Sequence, residues 1–254
     1  MIIGAPHRAD LVGRAYLYQK DYKHRWQLIE RISPSSENWT SDFGSQVKIN
    51  DQHILIGDQK FNKEKGSVFT MKQNMNTGRW ESGNILSYEK MNEDGFFGHS
   101  IALNSDRTVI GSRNGNVAVE YQFDQTTGEW LQKHIFSPYH FQSKGRYGFA
   151  VDMNSEYVII GSPGYDELGL IEVHQLVNNE WTKVHSISNP ENVKESYFGS
   201  SVSIDKDHLI IGNYNGEKSQ IFRINNDTVQ LKQTLHLSLI HISEPTRRTP
   251  ISYA

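Results

Sequence analysis

The chain has no cysteine, so it has no disulfide framework, no thiolate metal site and no cysteine nucleophile. That absence leans toward a reducing compartment, although repeat proteins are stable without disulfides in any compartment. Charge of one sign is also missing. Lysine and arginine total 26 against 29 aspartate and glutamate, for a net charge of -3, and the basic residues are scattered. Nucleic acid is therefore not an expected partner. No apolar run approaches the ~18 residues of a membrane helix, so no membrane insertion is expected. The opening "MIIGAPHRAD" lacks the charged and long apolar regions of a signal peptide. HExxH pairs, Gly-x-Ser-x-Gly elbows, phosphate-binding loops and dinucleotide fingerprints are absent too. No catalytic, cofactor or metal residue is assigned on these grounds.

What the chain does have is repetition. "DFGSQVKINDQHILIG", "FFGHSIALNSDRTVIG", "RYGFAVDMNSEYVIIG" and "YFGSSVSIDKDHLIIG" follow one another along the chain, at a period of ~50 residues. Three markers keep step. One is a glycine after an apolar run, at Gly4, Gly57, Gly111, Gly161 and Gly212. The second is an aromatic-glycine pair headed by Phe43, Phe97, Tyr147 and Phe198, and the third a tryptophan at Trp26, Trp80, Trp130 and Trp181.

Each unit reads as four short strands. After the aromatic-glycine pair, apolar residues alternate with others, as in Val47 and Ile49 or Ile101 and Leu103, the period of a half-buried strand. Continuous runs such as Val158-Ile159-Ile160 predict a second strand covered on both faces. Stretches such as "VAVEYQF" predict a third, and "QTTGEW" a hairpin into a fourth that carries the tryptophan. No segment has a helical period over ten or more residues. Units of this size with four antiparallel strands predict an all-β fold, a β-propeller whose blades cover each other's faces. The tryptophan is expected to anchor one sheet on the next. The glycines are expected where a close backbone approach or an unusual φ excludes a side chain.

The pairing of Phe-Gly with "IIGAP" at 2 to 6 and "IIGSP" at 159 to 163 resembles the FG-GAP repeat of integrin α chains, over about residues 1 to 236. The resemblance implies a seven-bladed, non-catalytic propeller for adhesion, in an extracellular or cell-surface setting. Integrin-like copies carry an Asp-rich calcium loop. Here the connections "INDQ", "LNSD", "MNSE" and "IDKD" are too short and too poor in carboxylates to wrap such an ion, so the resemblance is to a calcium-free branch with no metal and no cofactor.

The units fall at about 1–42, 43–96, 97–146, 147–197 and 198–236, an arc of about 4.5 blades out of the seven that the resemblance implies. An incomplete arc is expected to be a fragment, with Met1 internal, and to associate through exposed blade faces. The segment 237–254, "LSLIHISEPTRRTPISYA", breaks the repeat. It resembles the translation of a sequencing-library adapter and is expected to be an artefact without structure.

Of the eleven histidines, none is spaced as a metal pair. His53 and His208 share a repeat position with Arg107 and Tyr157, which reads as a strand-start surface site. Loops on a propeller face bind partners, so Asp10, Asp166 and Glu167, in the connections after the second strands, are the candidate contact residues. The sequons at Asn38 and Asn226 are compatible with secretion without indicating it. These readings favour a non-catalytic module binding a protein or glycan ligand. Two alternatives are an accessory or incomplete propeller of an enzyme, and an intracellular structural scaffold.

Overall fold

The structure is a computed structural model that describes residues 1–6, 13–34, 40, 42–138, 144–215, 218–225 and 228–236. The sequon asparagines Asn38 and Asn226 and the segment 237–254 lie outside the described residues. Among the described residues nineteen strands form five sheets, all paired antiparallel between chain neighbours. The first has three strands, β1 (Ile2–Ala5), β2 (Arg14–Lys20) and β3 (Trp26–Ile32). The second runs β4 (Gln46–Ile49), β5 (His53–Asp58), β6 (Ser67–Gln73) and β7 (Trp80–Leu86). The third runs β8 (Phe97–Asn104), β9 (Arg107–Ser112), β10 (Ala118–Asp124) and β11 (Glu129–Phe136). The fourth runs β12 (Ala150–Met153), β13 (Tyr157–Ser162), β14 (Leu170–Val177) and β15 (Glu180–Ser188). The fifth runs β16 (Phe198–Asp205), β17 (His208–Asn213), β18 (Lys218–Ile224) and β19 (Val229–His236). The first strands β4, β8, β12 and β16 pack on one another from sheet to sheet, while outer strands barely meet, as β7 and β11 show. The chain is thus an arc of propeller blades with its first strands lining the axis.

The second strands show why blades need neighbours. Side chains alternate across a strand, and here both faces are apolar. Ile54 and Ile56 join a core with Ala15 and Leu17 of the preceding blade, while Leu55 joins Phe97, Ile101 and Ile110 of the following one. Val158 and Ile160 point back to Val109 and Phe136, and Ile159 points on to Phe198 and Ile211. Four cores result, one at each joint between blades. Ile210 holds the register of Leu55, Val109 and Ile159, all fully buried, yet is 44% exposed because no described blade follows it.

The repeated glycines are two halves of one joint. A Cβ on Gly57 would come within 2.7 Å of the Gly98 carbonyl oxygen on the next blade. The same approach recurs between Gly4 and Gly44, Gly111 and Gly148, and Gly161 and Gly199. The second partner of each pair has φ near +87°, at +88° in Gly44 and +86° in Gly98, where a side chain is strained. Gly212, with no described blade after it, meets Ser201, whose hydroxyl is the nearest atom.

The tryptophans face the preceding blade. Trp130 and Trp181 are buried, Trp80 is half-buried, and Trp26, on the first blade, is 48% exposed. The expectation that all four anchor sheets is corrected for Trp26, which has no described blade in front of it. His53 is a second correction. It is fully buried between Phe123 and Trp130, with ring centroids 4.5 and 4.9 Å away, while His208 is exposed. The shared repeat position is a surface site only where no described blade follows.

Candidate functional site

Three positions in each repeat vary beside the recurring aromatic-glycine pair and the glycine of the second strand. The residue before the aromatic-glycine pair is Asp42, Phe96, Arg146 or Tyr197. The residue after it is Ser45, His99, Phe149 or Ser200. The third, at the exit of the second strand, is Gln59, Arg113, Pro163 or Tyr214. The glycine joint fixes the backbone on either side, so these side chains collect at one end of the axial strands. His99, Phe149 and Ser200 belong to successive blades and line a single cleft of about 770 Å³ with Arg113, Arg146, Pro163, Tyr197 and Tyr214.

The cleft has two unlike walls. One carries Arg113 and Arg146, and among the described residues neither guanidinium pairs with a carboxylate. Arg113 lies over the Phe96 ring at 5.8 Å, which presents the cation without neutralising it. The other wall, from the fifth blade, offers Ser200, Ser201, Asn213, Asn215 and Ser219. Lys218 also lines the cleft, but its Nζ is 2.8 Å from Glu191 Oε2.

His99 sits at the basic wall against Phe149, with ring centroids 4.6 Å apart. Its Nδ1 is 2.8 Å from Gln59 Oε1, and Gln59 Nε2 donates to Asp42 Oδ2 at 3.0 Å. Asp42 is buried, and its other oxygen lies 3.4 Å from Lys60 Nζ. Burial, reinforced by Arg113 and Arg146, lowers the His99 pKa to about 4. The imidazole is therefore neutral near pH 7, and Nε2 is left with its lone pair when Nδ1 donates to Gln59.

A separate polar cluster braces the joint between the third and fourth blades. The Tyr147 hydroxyl donates to Glu172 Oε2 at 3.0 Å, and His174 Nε2 and Lys183 Nζ each lie 3.3 Å from that carboxylate. Burial pushes the Tyr147 phenol far up, and the Glu172 charge adds to it.

The two described residues among those expected from sequence, Asp166 and Glu167, do not line this cleft. Asp10 lies outside the described residues. Asp166 and Glu167 are exposed, and Glu167 pairs with Lys194 at 2.9 Å. Glu167 lines a smaller neighbouring cleft that shares Arg146, Pro163 and Tyr197 with the main one. Sequence reasoning passed over His99, Arg113, Arg146 and Gln59 because it attended to what repeats. The available signal was variation inside an otherwise constant frame.

No protein-family model matches the chain, and no curated protein matches it by sequence. The fold is that of solved propellers. A protein from Lactobacillus plantarum superposes with a TM-score of 0.61 at 14% identity, over 87% of this chain and 64% of that one. A candidate 6-phosphogluconolactonase from Bacteroides fragilis gives 0.64 at 12%, over 92% and 66%. Another from Bacteroides uniformis gives 0.65 at 10%, over 94% and 68%. The chain spans about two thirds of the length of these proteins.

These findings correct the FG-GAP expectation, and with it the adhesion role and extracellular setting that depended on it. The physical reason is the glycine joint. Phe-Gly and Ile-Ile-Gly recur because two backbones meet there, a demand that does not single out integrin-type repeats. The expectation of a non-catalytic protein- or glycan-binding module is corrected as well. Two of the similar propellers carry an enzyme's name. The ring total of seven rested on the resemblance alone.

Proposed function

We infer that the chain is an arc of an enzymatic propeller that hydrolyses a lactone of an acidic sugar derivative in the cleft at the axis. One observation carries this reading: a neutral His99 shares its cleft with two guanidiniums, Arg113 and Arg146, that lack carboxylate partners among the described residues. The hydroxyl and amide wall opposite suits a polyhydroxylated body. The basic wall suits an anionic group or the oxyanion of ester cleavage. The names of the two Bacteroides propellers point to the same chemistry.

The residues permit a balanced hydrolysis. His99 Nε2 takes a proton from water as its oxygen adds to the lactone carbonyl carbon. The oxyanion faces Arg113 and Arg146. Collapse breaks the bond between carbonyl carbon and ring oxygen, and the ring oxygen takes the proton back from His99. The product is the open hydroxy acid, and the histidine returns to its neutral state. A pKa of about 4 makes His99 a weak base in the empty cleft. An anion on the arginines removes part of that depression and brings the histidine closer to its task.

The test is proton release from 6-phosphogluconolactone and from unphosphorylated gluconolactone, measured on the 254-residue chain against spontaneous hydrolysis. The phosphorylated lactone should turn over faster. His99→Ala should lower kcat by about 10²–10⁴-fold, and Arg146→Ala should chiefly raise KM. A rate no higher than the spontaneous one, or an unaffected His99→Ala variant, would overturn the reading.

A further inference from the structure

The cleft's histidine is set from outside its own blade. His99 begins on β8, but its Nδ1 partner, Gln59, leaves the end of β5 on the preceding blade. Behind Gln59 stands Asp42, the residue before that blade's own aromatic-glycine pair. We propose that Asp42 and Gln59 are positioning residues that fix the His99 tautomer, with the proton on Nδ1 and the bare nitrogen Nε2 left to act in the cleft. This rests on the reading of His99 as the base.

The argument runs through donor and acceptor types. An ionised carboxylate only accepts hydrogen bonds, so the buried Asp42 oxygen 3.0 Å away demands the NH₂ end of the Gln59 amide. The carbonyl end must then face His99, 2.8 Å from Nδ1. A carbonyl only accepts, so Nδ1 must carry the proton. Each step removes one of two choices, and the carboxylate decides both.

Neighbouring contacts hold the chain of bonds in place. Lys60, one residue beyond Gln59, lies 3.4 Å from the other Asp42 oxygen. Asp58, the residue before Gln59, is buried and accepts from the Thr40 backbone N–H and hydroxyl at 2.6 and 2.7 Å. The Phe149 ring closes the far side of the imidazole. The charged groups around His99 are therefore Arg113 and Arg146 on the cleft side, and Asp42 with Lys60 behind the amide. An amide between Asp42 and His99 transmits orientation without placing a negative charge on the ring. A carboxylate at position 59 would keep the tautomer but raise the histidine's basicity.

The experiment is ¹⁵N NMR of the histidine rings in the full chain at neutral pH, with pH titration, on wild type, Gln59→Leu, Gln59→Glu and Asp42→Asn. Wild type should show His99 protonated on Nδ1 and bare on Nε2. Gln59→Leu removes the acceptor and should release the ring to a tautomer mixture. Asp42→Asn lets the amide turn over and should do the same. Gln59→Glu should keep the Nδ1 proton and raise the titration midpoint by about one unit or more. If Asp42→Asn does not fold, Gln59→Leu decides alone. A wild-type ring protonated on Nε2, or a Gln59→Leu ring unchanged from wild type, would overturn the proposal. The spectra need no turnover: a locked Nδ1 tautomer in a protein without lactonase activity would sink the proposed reaction and leave the positioning intact.

Discussion

At the scale of single residues, two buried histidines decide how the protein meets acid. His53 is enclosed by Phe123 and Trp130, and neither ring nitrogen has a hydrogen-bond partner among the described residues. Burial and then the nearby Lys72 lower its pKa to about 4, and His99 is lowered to about 4 by burial and its arginines. Both are neutral when folded and take a proton at the ordinary value of 6.5 when unfolded. The unfolded chain then binds more protons between those values, so stability falls as pH drops from 6.5 toward about 4. Urea midpoints at pH 7 and pH 5 should show this fall, and His53→Phe should reduce it. A variant as acid-sensitive as wild type would contradict the role given to His53. The same residue shows what sequence leaves out. A histidine at a strand start is the same letter in His53 and His208, and only the presence of the next blade makes one of them core.

Blades and strands were legible in the sequence because their cause is local and repeated. Alternation in Val47 and Ile49 and the unbroken run at Val158-Ile159-Ile160 arise from pleating and two-sided burial, which every unit must satisfy. The site was much less legible. His99, Gln59 and Asp42 sit at three different repeat positions on two blades, and only the joint brings them together. Motif spacing within one unit cannot display such a meeting. The joint itself can be tested at this scale. Gly111→Ala would drive a methyl into the Gly148 carbonyl, whereas in Gly212→Ala the neighbour is the movable Ser201 hydroxyl. Gly111→Ala should cost roughly 1–3 kcal/mol or more, and Gly212→Ala clearly less, by equilibrium unfolding. Equal losses would show that the backbone approach is not what excludes a side chain.

For the whole molecule, the exposed ends of the arc matter most. Ile3 looks backward from the first blade and Ile210 forward from the fifth, each 44% exposed, although the same repeat positions are buried at every internal joint. Burying one such side chain is worth about 1.5–3 kcal/mol, so the two faces should draw copies of the chain together head to tail. Sedimentation velocity should show mass rising with concentration, and Ile210→Lys should suppress it. A wild-type chain that stays monomeric at high concentration would refute this.

The glycine joint has one more implication, for how such a chain can grow. Every seam is made from the same backbone contact, so a duplicated unit could be spliced in at any seam and find compatible neighbours on both sides. The His99 imidazole does not share that freedom. A unit added between the second and third blades would lengthen the arc without a misfit, yet it would part His99 from Gln59. Growth elsewhere would leave that pair together.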